Sequence, residues 1–305
     1  MSAANPDPGK SDPFSGVQLF VDPHSPAAQG EASLDHSDPA GAALLRRISS
    51  RPAGIWFGSW NPVAQVASAI RTVMNEAAAR HSVPLLVLYA FPRQGCRDGA
   101  ASTLAGPALY ERWIGQVVAG IGTGQAVVIL EPDALAQYVR LPCLPPAGQQ
   151  QRLTMIRRAV DQLAALPSAV VYLDAGNSRW QPANVMAALL NAAGVGEVRG
   201  FSLNVSNFNS TAAEESYGDN LSAMLHAAHY VIDTSRNGTA SAKTWCNPPG
   251  QALGRPPTAD TGNPMVDALL WVKPPGASDG TCNGGPPAGI FWPSYALRLA
   301  ANAQW

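Results

Sequence analysis

The sequence of 305 residues predicts an α/β fold, specifically a TIM-like βα barrel with parallel strands. Short apolar runs recur along the chain and are separated by stretches long enough to form helices, which favours parallel βα units. About seven such units are present, and no GxGxxG or Walker loop accompanies them. A barrel is therefore preferred over a doubly wound sheet. We expect one domain, because α/β barrels commonly run to about 250 residues.

The N-terminal part of the chain contains the first expected elements. Residues 1–15 are rich in Pro, Asp, Ser and Gly and are expected to be disordered or linker-like. The run 17–22 is the first strand-like segment, and 54–58 is the next. Asn61-Pro62 then predicts a helix N-cap with proline at the first helical position, followed by an amphipathic helix that extends to Arg80.

The βα pattern then repeats to the end of the chain. The remaining strand-like runs are 85–91, 126–130, 169–173, 200–205, 230–233 and 268–272. The helical candidates between them are 107–122, 149–166, 182–193 and 214–228. Each strand should therefore end at the same edge of the barrel, where barrel enzymes assemble their sites.

The run 126–130 ends abruptly at Glu131-Pro132-Asp133. Five apolar residues suit a strand buried on both faces, and Pro132 ends the pairing because it has no backbone donor. A carboxyl at the mouth of an apolar barrel is partly desolvated, so Asp133 could serve as a proton donor near neutral pH. Alternatively, Glu131 and Asp133 cap a following helix.

Polar residues follow other predicted strands in the same way. Asp174, Asn204, Asp233 and Lys273 each lie at or just after the end of an apolar run, as Asp133 does, which predicts a carboxylate-lined pocket. Tryptophan faces pack against the apolar faces of pyranose rings, so a sugar substrate is expected. The candidate tryptophans are Trp56, Trp60, Trp180, Trp245 and Trp271, of which Trp271 lies inside a strand run and is expected in the core.

The charge balance limits the possible partners. The net charge is −1, with 20 basic and 21 acidic residues and no basic stripe. Nucleic acid and anionic membranes are therefore not expected as partners, and the substrate should be uncharged. We expect a monomer without cofactor or metal; His226 and His229 are three residues apart but are interpreted as surface or core residues.

Four cysteines are widely spaced and form no CxxC or Cys/His metal pattern: Cys96, Cys143, Cys246 and Cys282. Two disulfides are expected, and three pairings are possible from the residues alone. This indicates a secreted protein. No signal peptide or membrane-spanning run is visible, and the polar sequence after Met1 suggests that an export signal was removed.

Six motifs in collinear order resemble glycoside hydrolase family 6, the inverting β-1,4-glucanases, and most closely its compact bacterial endoglucanases. The resemblance runs from about Val17 to the C-terminus. The motifs are LVLYAFP at 86–92 with Cys96, VILEPDAL at 128–135, VYLDAG at 171–176, GFSLNVSN at 200–207, VIDTSRNG at 231–238, and LWVKPPG at 270–276 continuing through 278–280.

The resemblance implies a distorted, seven-stranded barrel in residues 16–305 that acts as a hydrolase catalytic domain. It selects the disulfide pairs Cys96–Cys143 and Cys246–Cys282. It also implies that Asp133 is the general acid, that Asp279 is the proposed base, and that Asp174 lines the site. The candidate sugar contacts are Tyr89, Trp56, Lys273, Trp180, Asn204, Trp245 and Asn177.

Three positions depart from the family pattern. Gln94-Gly95-Cys96 stands where Arg-Asp-Cys is usual, so the aspartate thought to support the general acid is missing from its place. Asp98 substitutes for it, or belongs to a displaced Arg-Asp pair in a longer loop, or is a solvated loop residue. Asn177 replaces a histidine and Ala277 replaces a glutamate, so weaker binding or an altered substrate preference is expected.

The sequence thus predicts a secreted endo-β-1,4-glucanase that cleaves its substrate with inversion. Endo action is expected because a chain this short has little room for loops that roof the cleft into a tunnel. Two alternatives stay open. One is a β-glucan-binding barrel that has lost turnover, and the other is a hydrolase of a different β-glucan or of xylan.

Overall fold

The computed structural model describes residues 12–92, 106–140 and 146–305. The predictions for Gly95, Asp98 and the pair Cys96–Cys143 lie outside these residues. The described chain forms one seven-stranded sheet in which every adjacent pair is parallel and the spatial order follows the chain order. The strands are β1 (Ile55–Gly58), β2 (Leu85–Tyr89), β3 (Ala126–Leu130), β4 (Ala169–Asp174), β5 (Gly200–Leu203), β6 (His229–Asp233) and β7 (Val266–Leu270).

Helices occupy most of the connections between the strands. They are α1 (Pro26–Leu34), α2 (Pro39–Ser49), α3 (Val63–Ala79), α4 (Pro107–Ile121), α5 (Pro146–Ala164), α6 (Ala183–Ala193), α7 (Thr211–Met224) and α8 (Pro293–Asn302). Short 3₁₀ turns cover Tyr138–Arg140, Val195–Glu197 and Cys282–Gly284. The alternation of strand and helix that the sequence predicts is confirmed.

The sheet curls so that its two faces bury different sets of side chains. Alternate residues of β2, such as Leu86 and Leu88, join the core between sheet and helices. Val87 instead joins an interior cluster to which β3, β4, β6 and β7 also contribute. Since side chains alternate along a strand, residues buried on both faces explain the continuous apolar runs of the sequence.

The barrel is not closed by a full strand ladder. Among the described residues β1 and β7 are the outer strands of the sheet, and no ladder register joins them. Their ends instead meet where the Gly54 N–H donates to the Trp271 carbonyl oxygen at 2.8 Å, and Trp56 Nε1 donates to the Val272 oxygen at 2.9 Å. The prediction of a barrel is therefore correct for the curled parallel sheet but not for complete closure, since single hydrogen bonds rather than a ladder join β1 to the end of β7.

The run 17–22 does not form a strand of the sheet, contrary to the prediction. It makes a single parallel bridge between Leu19 and Val83, just before β2 begins. Both edges of β2 are already paired, with β1 and β3, so no free edge is available to a further strand. Phe14 nevertheless reaches the interior cluster, where its ring stacks on Tyr172 with centroids 6.4 Å apart.

The start of α3 differs slightly from the predicted capping. Pro62 occupies the cap position and the helix begins at Val63. Asn61 instead closes the preceding turn, because its Oδ1 accepts from the Gly58 N–H at 3.1 Å and its own N–H donates to the Gly58 oxygen at 2.8 Å.

One predicted disulfide is present. Cys246 is bonded to Cys282 across 36 residues, and the bond joins two loops that follow β6 and β7. This confirms one of the two pairs that the family resemblance implies. No helix in the described ranges is long and apolar enough to cross a membrane.

Gly54→Ala should destabilise the protein, because a β-carbon at residue 54 would lie 2.2 Å from the backbone oxygen of Val272 at the seam between β1 and β7. Overpacking of this kind costs roughly 1–3 kcal/mol in the free energy of unfolding. Urea denaturation measures the loss. Gly196→Ala is the control, since nothing lies within 4 Å of a β-carbon there. Equal stability of the two variants would contradict the close contact at the seam.

Candidate active site

The carboxyl ends of the strands carry the candidate site. Asp133 follows β3 by three residues and is half-buried, and its backbone N–H donates to Asp174 Oδ2 at 2.9 Å. Asp133 has φ of 73° and Glu131 has φ of 49°, both in the left-handed region that residues with a side chain rarely adopt. Residues 131–140 form turns and a short 3₁₀ segment, and the next α-helix in the described part of the chain is α5, so Glu131 and Asp133 do not cap an α-helix there.

Glu131 is buried and turned away from solvent. Its carboxyl oxygens accept from the backbone N–H groups of Ala90 and Phe91 at 3.0–3.1 Å, just after β2. Burial is the largest influence on this group and raises the pKa of Glu131 to about 8, although the two N–H donors, Tyr110 and Arg152 oppose the shift. Glu131 therefore joins the end of β3 to the loop that leaves β2.

Asp174 makes the equivalent connection one strand further along. It is almost fully buried at the end of β4 and accepts from the N–H groups of Asp133 and Gly176, at 2.9 and 3.0 Å, and from Ser202 Oγ at 3.3 Å. Burial, reinforced by the nearby charge of Asp133, raises the pKa of Asp174 to about 8. The carboxyl group of Asp174 thus fixes the backbone at Asp133.

Asp233, at the end of β6, repeats this arrangement with more donors. Its carboxylate accepts from four backbone N–H groups at 2.9–3.3 Å, one after β5, one in its own loop and two after β7. These donors belong to Ser206, Ser235, Val272 and Lys273. The sequence pattern suggested that Asp233 lines the pocket. Its carboxylate instead accepts hydrogen bonds from the backbone of three loops.

Asp279 lies in a charged cluster on the loop after β7. Its Oδ2 is 2.8 Å from Arg236 Nη1 and accepts from the Asn247 N–H at 3.0 Å, while Oδ1 is 3.4 Å from Lys273 Nζ. Burial by itself opposes ionisation, but Arg236 and Lys273 outweigh it and lower the pKa of Asp279 below its ordinary value. Asp279 is therefore an ionised carboxylate at neutral pH.

Asp133 has the opposite electrostatic character. Burial is the main cause that raises its pKa to about 6, and the charge of Asp279 adds to the rise. The charge of Lys273 and a hydrogen bond from Tyr89 hold the rise in check. The site thus places a carboxyl that can hold a proton near neutral pH in the field of a carboxylate that cannot, which is an arrangement suited to acid–base chemistry.

An aromatic group lies beside Asp133. The rings of Trp56 and Tyr89 meet edge to face with centroids 5.4 Å apart, and Lys273 Nζ lies 5.5 Å from the centroid of the Trp56 ring. Tyr89 is partly buried and hydrogen-bonds to Asp133. The structure therefore brings together four residues that are far apart in the sequence: Trp56, Tyr89, Asp133 and Lys273.

The other tryptophans occupy different environments. Trp180 is partly buried against the outer core and covers Gly176, whereas Trp245 is 63% exposed beside the disulfide. Trp271 is completely buried and donates from Nε1 to the Arg255 oxygen at 3.1 Å, which confirms its predicted core position. Trp60 is 57% exposed after β1.

The two candidate asparagines are buried and bound to the protein itself. Asn204 exchanges hydrogen bonds with the backbone of Asn209 and donates to the Asp233 oxygen at 2.9 Å. Asn177 Oδ1 accepts from Asn209 Nδ2 and from the Arg179 N–H, both at 3.0 Å. Their predicted sugar contacts stay predictions. Ala277, the third departure from the family pattern, is also buried.

Sequence reasoning did not single out Arg236 or Asn247. Arg236 is fully buried, lies 4.3 Å over the Phe208 ring and pairs with Asp279, and Asn247 also accepts from the Asp279 N–H at 2.8 Å. An arginine three residues after a strand-end aspartate was the available signal for Arg236. His229, by contrast, lies beside Asp267 with Nδ1 2.9 Å from Oδ1 at the start of β6, at the opposite edge of the sheet.

A curled parallel βα sheet with a proton-holding carboxyl and an ionised carboxylate at the C-terminal edge of its strands is typical of α/β barrel enzymes that use acid–base chemistry. The family model of the glycosyl hydrolases family 6 matches residues 14–303. The chain therefore belongs to glycosyl hydrolases family 6.

Relatives of known description agree with this assignment. The chain is 40% identical to Endoglucanase A of Cellulomonas fimi, with 96% of the chain and 62% of that protein covered. It is 38% identical to Endoglucanase 1 of Streptomyces halstedii, with 97% and 93% covered. The chain thus spans slightly less than two thirds of the Cellulomonas protein.

A solved structure shows the same fold. The endoglucanase Cel6 from Mycobacterium tuberculosis, in complex with a methyl-cellobiosyl-thio-cellobioside, is 43% identical and superposes with a TM-score of 0.90. The match covers 96% of this chain and 99% of that one.

Asp233→Asn should destabilise the protein by about 1–3 kcal/mol, because an amide offers one acceptor oxygen and sets its NH₂ group against buried backbone donors that lose their partner. Chemical denaturation measures the change in the free energy of unfolding. Asp260→Asn is the matched control, since the side chain of Asp260 is 94% exposed. Unchanged stability of Asp233→Asn would show that its four hydrogen bonds contribute little.

Proposed function

We propose that the chain is an endo-β-1,4-glucanase that hydrolyses cellulose or a soluble relative by a single displacement with inversion. The observation that carries the proposal is the contrast between Asp133, whose pKa is raised to about 6, and Asp279, whose pKa is lowered. Glycoside hydrolysis uses two carboxyl groups in such different states. The similarity to several endoglucanases supports the substrate class.

Asp133 is the proposed general acid. It protonates the glycosidic oxygen as the bond to the anomeric carbon breaks, and the leaving sugar departs as an alcohol. Tyr89 hydrogen-bonds to Asp133 and adjoins Trp56, so the same residues orient the acid and contact the sugar. Asp174 acts indirectly, because its carboxyl group holds the Asp133 backbone N–H.

Asp279 is the proposed base for the attacking water. Its side chain is only 3% exposed and is paired with Arg236 and Lys273, which makes it a weak base that stays ionised. A proton from the water therefore reaches it most readily through an intervening water rather than by direct contact. Its constant negative charge also favours protonation of Asp133 and positive charge on the sugar in the transition state.

Endo action and export complete the proposal. Four curated relatives named endoglucanases are 36–40% identical to the chain, whereas a probable exoglucanase of Podospora anserina is 32% identical. The Cys246–Cys282 disulfide supports work outside the cytoplasm. Fractionation of producing cells tests the location, and a chain confined to the cytoplasm would contradict it.

Asp133→Asn should lower the rate of reducing-sugar release from a soluble cellulose derivative by roughly 10²–10⁴-fold, because the amide cannot donate the acid proton. Asp161→Asn, on the exposed surface of α5, is the matched control and should keep full activity. A wild-type protein that binds cello-oligosaccharides without releasing reducing sugar would show a binding protein instead. Release of reducing sugar from xylan but not from cellulose would show that xylan is the substrate.

The pH dependence gives a second test of Asp133. An acid with a pKa near 6 is protonated below that pH, so activity should fall as the pH rises through about 6. The Tyr89 hydrogen bond lowers the pKa of Asp133, and Tyr89→Phe should therefore move this alkaline limb to higher pH. If the alkaline limb of the pH–activity profile is at the same pH in Tyr89→Phe as in the wild type, the limb does not report the titration of Asp133.

Inversion predicts an α-anomer as the first product from a β-linked glucan. Proton NMR of the reaction in its first minutes, before the anomers equilibrate, identifies the product. A β-anomer would indicate a covalent intermediate and a nucleophilic carboxylate, contrary to the ion-paired role assigned to Asp279.

A further inference from the structure

We propose that Trp60 forms an additional sugar platform at the β1 end of the cleft, beyond Trp56, and that it binds longer β-1,4-linked glucans. This inference rests on the proposed function and extends it to a specific binding position. It follows from how the chain holds Trp60, where the ring lies and how much of it faces solvent.

The turn that carries Trp60 is fixed on both sides. Residues 58–61 form a turn closed by the bond from the Asn61 N–H to the Gly58 oxygen at 2.8 Å and by the bond from the Gly58 N–H to Asn61 Oδ1 at 3.1 Å. The Asn61 oxygen also accepts from Nε1 of the fully buried Trp113 at 2.9 Å. The turn is thus tied to α4, and Trp60 is presented from a rigid support.

The ring of Trp60 lies over Gly58. A β-carbon at Gly58 would lie 2.4 Å from Cη2 and Cζ3 of Trp60, so only glycine leaves room for the ring. Because side chains at i and i+2 point to one face of a strand, the ring covers the same face of β1 that carries Trp56. Gly58 pairs with Tyr89 of β2, which places the ring next to the aromatic group beside Asp133.

The order of the strands gives the direction of the platform. Asp133 follows β3, Tyr89 ends β2, and Trp56 and Gly58 belong to β1, so these residues succeed one another across the sheet. Trp60 follows β1, an outer strand two places from β3, so its ring lies on the β1 side of the general acid. A glucan chain bound across the strand ends would reach Trp60 only when it has enough sugar units on that side.

The exposure of Trp60 points to a ligand. Its side chain is 57% exposed, whereas Trp56 is partly buried and Trp113 fully buried. An aromatic ring that stands on a hydrogen-bonded turn and remains open to solvent can bury the apolar face of a pyranose ring while the turn beneath it loses little conformational entropy. Tryptophan has no charge to pair, which suits an uncharged sugar chain.

The test compares cello-oligosaccharides of three to six glucose units. Trp60→Ala should lower kcat/KM roughly 3- to 10-fold for the longest oligomers through a higher KM, and should leave the trimer unchanged. Trp60→Phe should restore most of the loss because it keeps an aromatic face. Met224→Ala, which removes an exposed apolar side chain from the end of α7, should behave as wild type with every oligomer.

Binding measured in an Asp133→Asn background separates this inference from the proposed function. Calorimetry should show that adding Trp60→Ala weakens hexamer binding by a similar factor while trimer binding is kept. Equal loss for all oligomers, or no loss for any, would overturn the platform even if the wild type is an active glucanase. If the wild type neither cleaves nor binds any oligomer, the proposed function fails and the platform fails with it.

Discussion

Buried carboxyl groups at strand ends hold the loops of the site in place by accepting hydrogen bonds from the backbone of neighbouring strands. Glu131 accepts hydrogen bonds from backbone N–H groups just after β2, and Asp174 accepts one from the N–H of Asp133. Asp233 accepts hydrogen bonds from N–H groups after β5 and β7. Each bond joins two segments that are distant in sequence. A backbone donor left unpaired in such a buried place costs about 1–3 kcal/mol, so these connections resist local opening.

The same constraint separates the two carboxyl groups that do the proposed chemistry. Asp133 is held by its backbone N–H, which leaves its own carboxyl free to face the cleft with Tyr89 as partner. Asp279 is instead paired through its carboxylate with Arg236 and Lys273. Desolvation raises the pKa of Asp133, whereas the neighbouring cations lower the pKa of Asp279. The same cleft therefore holds a proton donor and an ionised carboxylate.

Much of the fold could be predicted from the sequence because the strands are short, mainly apolar runs, several of which end at a polar residue. All seven strands were found this way, as was the core position of Trp271. The open seam could not be predicted, since it depends on how the four residues of β1 meet the end of β7. The run 17–22 was misjudged as a strand because its own residues do not reveal that both edges of β2 are occupied.

The candidate site was harder to predict, because a strand-end carboxyl looks the same in sequence whether it faces the cleft or the backbone. Asp133 and Asp233 both follow apolar runs, yet only Asp233 meets four N–H groups. The difference depends on which loops cross above each strand, and this is a property of the tertiary structure.

Backbone strain in the site follows from the same connections. Glu131, Asp133, Asn204 and Ser206 all have positive φ, at alternate positions just after β3 and β5. Such conformations persist only where the surroundings determine them, and here the Asp133 N–H is bound by Asp174 and the Ser206 N–H by Asp233. These hydrogen bonds to buried carboxyl groups thus stabilise turns that would otherwise relax. Relaxation at Asp133 would turn its carboxyl away from Tyr89 and toward solvent, where its pKa would return to the ordinary range and the proton donor would be lost.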